Sequence, residues 1–146
     1  MSIRRLMQGG VVVAVGILCV SAWRAGAQGK AVVWPADGIK WTDNVAVAGA
    51  KQAVLWGDPT KGAYGALKQV PGGTVLALHS HKNESRVIVI KGTVALEIEG
   101  KTTAMGAGSY ALIPGSVPHQ ATCRGTAACE YFEEMSGAFD STPAKK

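Results

Sequence analysis

The sequence predicts an all-β protein, a sandwich or closed barrel of short strands. Strand-length runs rich in β-branched and aromatic residues recur along the chain, and turn clusters such as "GDPTKG", "PGG", "EGK", "GAG" and "PGSVP" separate them. Beyond residue 27, no window of ten or more residues keeps a helical apolar stripe. Many short strands at regular spacing are the pattern of sandwiches and barrels.

The first segment, Met1 to Ala27, is expected to be a signal peptide. "MSIRR" is a basic start, "VVVAVGILCV" is an apolar run short for a bilayer, and "AGA" before Gln28 is a small-residue cleavage site. An uncleaved anchor is the competing reading, and Arg4-Arg5 leaves both the general secretory and the twin-arginine routes open. Cleavage implies a periplasmic or secreted protein with no stable membrane span. Three of the 15 basic residues (Arg4, Arg5, Arg24) and none of the 10 acidic ones leave with the leader, so 12 remain against 10, a net charge of +2. That balance is too mild for a nucleic-acid partner, and the remaining 119 residues suffice for one domain with one core.

Residues 28–50 read as an irregular lead-in, because "AVVWPADGIKWTD" mixes Pro, Gly and two Trp without periodicity. Residues 51–135 carry the barrel, with "KQAVLWG", "YGALKQV", "TVLALHS", "RVIVIKG", "TVALEIE", "KTTAM", "SYALI", "HQATC" and "CEYFEE" as strands, and residues 136–146 form a C-terminal tail. In "TVALEIEG", Val94, Leu96 and Ile98 share one face and the solvated Glu97 and Glu99 the other. In "TVLALHSH", Val75, Ala77, His79 and His81 share one face, and Leu76 and Leu78 the other. Leu76, Leu78, Ile88 and Ile90 are therefore expected to form an apolar outer face on adjacent strands, covered by a second copy in a homodimer or by the lead-in between Trp34 and Trp41. Cys123 and Cys129 flank the turn-like "RGTAA" and can close a disulfide across a hairpin in an oxidising compartment; two buried free thiols are the alternative.

"GTVLALHSHKNESRVIVIKG" and "GSYALIPGSVPH" carry the chemistry. Gly73, His79, His81 and Gly92 stand at the spacing of the first motif of the cupins, and Gly108, Pro114 and His119 at the spacing of the second. The chain thus resembles the cupin superfamily over roughly residues 62–123, and more loosely the small secreted single-domain bacterial cupins. The resemblance implies a cupin-type jelly-roll β-barrel. It departs from the pattern twice: Ser85 fills the slot of the first motif's carboxylate, and the glycine that usually stands two after the proline is displaced, with Gly115 one early and Ser116 in its place.

The residues agree on physical grounds. His79 and His81, two apart in a strand, present two imidazoles from one face, and His119 arrives after a Pro-flanked turn, so the three can hold one divalent metal with positions left open. Ser85 is a poor replacement for an anionic ligand. Glu84, one place early, is turned away by a regular strand, though a loop or bulge at "KNES" would bring it in. A three-histidine site without the carboxylate favours Zn, Cu, Ni or Fe over Mn. Glu84, Tyr64 and Tyr110 are the polar candidates beside it, and no acid/base pair is visible next to the histidines. Two functions fit: a metal-dependent enzyme acting on a small molecule, which the resemblance to three-histidine cupin dioxygenases implies, or a non-catalytic periplasmic barrel that holds a metal or ligand.

Overall fold

The structure, a computed structural model, describes residues 31–145; the expected leader lies outside the described residues. In chain order, a 3-10 turn (Ala36–Gly38) precedes β1 (Thr42–Asp43), β2 (Lys51–Gly57), β3 (Tyr64–Val70), β4 (Val75–Ser80), β5 (Ser85–Lys91) and β6 (Val94–Ile98). Then come β7 (Lys101–Met105), β8 (Tyr110–Ile113), β9 (His119–Cys123), β10 (Cys129–Met135) and β11 (Thr142–Pro143). No helix among the described residues is long and apolar enough to cross a membrane.

Two antiparallel sheets make a single jelly roll, one ordered β1-β2-β3-β10-β5-β8 and the other β11-β4-β9-β6-β7. Each run read as a strand in the sequence forms one, from β2 to β10. The two-residue β1 and β11 carry no signal of their own and exist by pairing, β1 with β2 and β11 with β4. Alternation explains the core. β6 turns Val94, Leu96 and Ile98 inward against Cys123, Ala121 and His119 of β9, its partners in register. From the other sheet, β3 and β5 contribute Val70 and Val89, both buried.

The face of β4 departs from simple alternation. Val75 and Leu76 pair with Thr122 and Ala121, but the next pair is His79 with His119, so Ala77 and Leu78 together oppose Gln120. This bulge shifts the inward parity by one: Thr74 and Leu76 line the interior before it, His79 and His81 after it, while Val75 is 56% exposed. Leu76 therefore does not belong to an outer face. Nor are the strands carrying Leu76, Leu78, Ile88 and Ile90 adjacent, because β4 and β5 lie in different sheets. The apolar outer face that exists is on β5 and β8, where Ile88, Ile90, Tyr110 and Leu112 are all exposed and Ile88 pairs with Tyr110. The lead-in does not supply its cover from the position seen: Trp34 donates Nε1–H to the carbonyl of Leu55 on β2, and β1 pairs with that same strand.

Cys123 and Cys129 are bonded, with Cα atoms 5.7 Å apart. The bridge is not a clasp within a hairpin. Cys123 ends β9 in one sheet and Cys129 opens β10 in the other, so the bond ties sheet to sheet at the end of the barrel away from His119. Gly92, with φ 80°, fits against it, since a Cβ there would meet Cys129 Sγ at 3.0 Å.

The displaced glycine of the second motif also has a physical reason. A Cβ on Gly115 would lie 2.3 Å from the carbonyl oxygen of Lys82, so that position admits only glycine. Ser116 then takes the left-handed conformation, φ 66°, and donates its N–H to His81 O at 2.7 Å.

Two measurements check these features. Ser116→Gly removes the left-handed penalty at the cost of some chain entropy and should raise stability by about 0.5–1 kcal/mol, read as a higher urea midpoint; an unchanged or lower midpoint contradicts the assignment. Alkylation without reductant should label neither Cys123 nor Cys129, and replacing both by Ala should lower stability by about 2 kcal/mol through the loop-closure entropy of so short a loop. Quantitative labelling of both thiols would refute the bridge.

Candidate metal centre

Local structure delivers each imidazole. The β4 bulge turns His79 inward and leaves the Ala77 carbonyl free to accept from His79 Nδ1 at 2.6 Å. His81 follows two residues later, just past the strand end, with the Asp140 carbonyl against its Nδ1. His119 opens β9 after the Pro114–Pro118 turn, and its Nδ1 lies 3.0 Å from Val117 O. A carbonyl oxygen only accepts, so each Nδ1 carries a proton, and in the neutral ring Nε2 is the nitrogen with a lone pair.

The three rings cluster, with centroids 4.8 Å (79 to 81), 4.4 Å (79 to 119) and 5.3 Å (81 to 119) apart. One ligand atom from each lies within 4.8 Å of the others. Burial pushes His79 and His119 below the ordinary imidazole pKa, neighbouring imidazoles act the same way, and the carbonyl bonds and Glu133 oppose the shift. Both rings are therefore neutral near pH 7, the form that ligates a metal. Three converging imidazoles, each oriented by a backbone acceptor, fit a divalent transition metal.

Ser85 is 2% exposed at the start of β5 and faces the interior with the histidines. Glu84 points outward, where its carboxylate pairs with Arg86 at 2.6 Å, and its backbone bonds Ser136 on both sides. The "KNES" segment thus provides no bulge that swings Glu84 inward. Tyr64 is buried on β3 and donates to Glu133 Oε2 at 3.3 Å. Tyr110 does not join the site: it is 57% exposed on the outer face of the edge strand β8.

Two charged residues that sequence reasoning passed over line the same space. Glu133 accepts from Tyr64 and lies 3.5 Å from Lys68 Nζ, which also bonds Gln52 Oε1 at 3.2 Å and stands 5.3 Å from the Phe139 ring centroid. Both were visible in principle. Tyr64, Ala66, Lys68 and Val70 alternate on the inward side of β3, as do Cys129, Tyr131, Glu133 and Met135 on β10, so a charge in either row is a charge inside the barrel. The segment after β10 is a third contributor without a local signal. Besides the Asp140 carbonyl, it brings Phe139, whose ring centroid is 5.8 Å from that of His81, and it is held by Lys82 N–H on the Asp140 carboxylate and by Asn83 on Ala138 O.

His79 and His81 line two spaces, and His119 the first of them. On one side is an apolar interior cavity of about 70 Å³ lined by Leu76, Leu96, Met105 and Ile113. On the other is an open cleft of about 560 Å³ whose walls include Val47, Lys68, Tyr131, Glu133, Phe139 and Pro143. A divalent ion at the histidines would lie beside the cleft.

A cupin domain profile matches residues 66–133 of the chain. No curated protein matches it. Among solved structures, the chain is similar to an RmlC-like cupin from Shewanella frigidimarina (TM-score 0.59, 18% identity, 76% of this chain and 89% of that one). It is also similar to the polyketide cyclase RemF from Streptomyces resistomycificus (TM-score 0.62, 16% identity, 75% and 82%) and to a predicted oxalate decarboxylase from Thermotoga maritima (TM-score 0.62, 18% identity, 71% and 97%). At these identities the likeness is one of fold. The profile runs from within β3 to within β10, over both histidine motifs, and the barrel has the fold of the solved cupins: residues 66–133 of the chain are a cupin domain.

Proposed function

We propose that the protein is an exported metal-binding cupin that holds one divalent transition-metal ion on His79, His81 and His119 and binds a small molecule at the positions they leave open. The observation that carries this reading is the common arrangement of the three imidazoles, each with Nδ1 on a backbone carbonyl and with one ring nitrogen of each within 4.8 Å of the others'. Zn, Cu, Ni or Fe suits three nitrogens better than Mn does, because Ser85 brings no charge. Such an ion would supply Lewis-acid chemistry there. The cleft of about 560 Å³ is of the size that small-molecule sites have.

A catalytic role is favoured over passive holding by Glu133. Its Oε2 takes both Tyr64 and Lys68, and among the described residues no group bonds Oε1, which leaves a carboxylate oxygen to meet a ligand proton at the cleft wall. Export is supported by the disulfide, since such bonds persist in oxidising compartments. The homodimer is supported by the outer face of Ile88, Ile90, Tyr110 and Leu112.

Elemental analysis of identically purified variants tests the metal. Wild type should carry about one equivalent, and loss of any one histidine leaves two protein ligands and should reduce the content to near zero. Glu84→Ala should keep it, and Ser85→Glu, with a fourth and anionic ligand, should shift preference toward Mn. If Glu84→Ala loses metal as fully as His81→Ala, the three-histidine assignment is wrong. Light scattering at high micromolar concentration should report a dimer, and a monomer there contradicts the homodimer.

A further inference from the structure

We infer that the centre is built for a small carboxylate-bearing ligand, whose anionic oxygen takes the place that Ser85 leaves vacant of charge beside the histidines. The inference rests on the three-histidine metal reading and adds the ligand class to it.

Two observations lead to it. The first is the Ser85 hydroxyl. Ser85 is 2% exposed and lines the same cavity as His79, His81 and His119, yet among the described residues nothing bonds its Oγ. Among the described residues no fully enclosed side-chain oxygen or nitrogen lacks a partner, so that hydroxyl is not fully enclosed and, on a residue that lines the cavity, opens on it. A buried polar group normally finds a partner, and here the available one is whatever enters the site.

The second is charge. With each Nδ1 protonated and each Nε2 ligating, the three imidazoles are neutral, and so is Ser85. Glu84 is outside, paired with Arg86. Glu133 has its charge answered by Lys68. A divalent ion at the histidines would thus keep both positive charges beside an apolar wall of Leu76, Leu96, Met105 and Ile113. Charge held in such surroundings is costly unless it is compensated, and an anion arriving through the cleft would compensate it. A carboxylate serves on both counts: one oxygen donates to the metal and can accept the Ser85 O–H. Phe139 and Tyr131 on the cleft wall suit an apolar or aromatic body behind that group.

The protein loaded with Co(II), whose visible spectrum reports its ligands, is titrated with benzoate and with benzamide, a neutral molecule of the same shape. Benzoate should perturb the spectrum and bind at least about tenfold tighter than benzamide, as a charge-assisted contact requires. Ser85→Ala should keep one equivalent of Co(II) and weaken benzoate roughly three- to tenfold. Ser85→Glu, which installs the anion internally next to a cavity of about 70 Å³, should keep Co(II) and lose the benzoate response. Equal affinities for benzoate and benzamide, Ser85→Ala binding benzoate as wild type does, or Ser85→Glu still binding it, would overturn the inference while leaving the metal site standing. If Ser85→Glu does not fold, the wild-type comparison and Ser85→Ala decide. A wild-type protein that takes up no Co(II) refutes the metal reading, and the ligand class with it.

Discussion

One extra residue in β4, where Ala77 and Leu78 oppose Gln120 alone, sets which side chains reach the interior. Side chains in a strand alternate with period two, so inserting one residue moves everything beyond it to the other face. Leu76 lies inward as part of the apolar lining, and only the bulge allows His79 to lie inward as well. The same irregularity releases the Ala77 carbonyl to hold His79 Nδ1. Without it, the histidines would follow Val75 to the exposed side, and His119 would face an empty interior.

From that constraint the barrel becomes asymmetric along its length. At one end, the disulfide joins β9 to β10 and closes the two sheets over Val94, Met105 and the buried cysteines. At the other, β9 carries His119 to the histidine cluster and β10 carries Glu133 to the wall of the open cleft. β10 runs from Cys129 to Glu133 along one inward row, so a single strand supplies the clamp at the closed end and the acid at the open end. Lys68 and Glu133 can occupy this interior because each neutralises the other and Tyr64 and Gln52 supply further polar contacts. Burial raises the Tyr64 pKa, with the Glu133 charge acting in the same direction, so its hydroxyl remains a donor to that carboxylate.

The segment beyond β10 completes the mouth. Pairing of Thr142 and Pro143 with Ser80 and His79 gives β4 a neighbour on its free side, a sheet edge that would otherwise present unpaired backbone next to the histidines. The Asp140 carbonyl on His81 and the Asp140 carboxylate on Lys82 fix this segment to the residues flanking the site from both directions. Orientation of His81 therefore depends on backbone 59 residues away in sequence.

The sequence by itself determined what local periodicity and spacing can express: an all-β chain, the positions of β2 to β10, the inward row of β6, and three histidines in the motif slots of a cupin. Charges at Lys68 and Glu133 were equally legible, because period two places them in rows that are otherwise buried. Tertiary structure alone decided the rest. A bulge shows itself only in the register against a partner strand, the separation of β4 from β5 only in the order of the sheets, and the cross-sheet course of the Cys123–Cys129 bond only once β9 and β10 are seen apart. Strands near in sequence need not be neighbours in space, and carbonyls such as that of Asp140 become ligand-orienting acceptors only where distant backbone returns to the site; both are properties of pairing, which no local pattern of residues encodes.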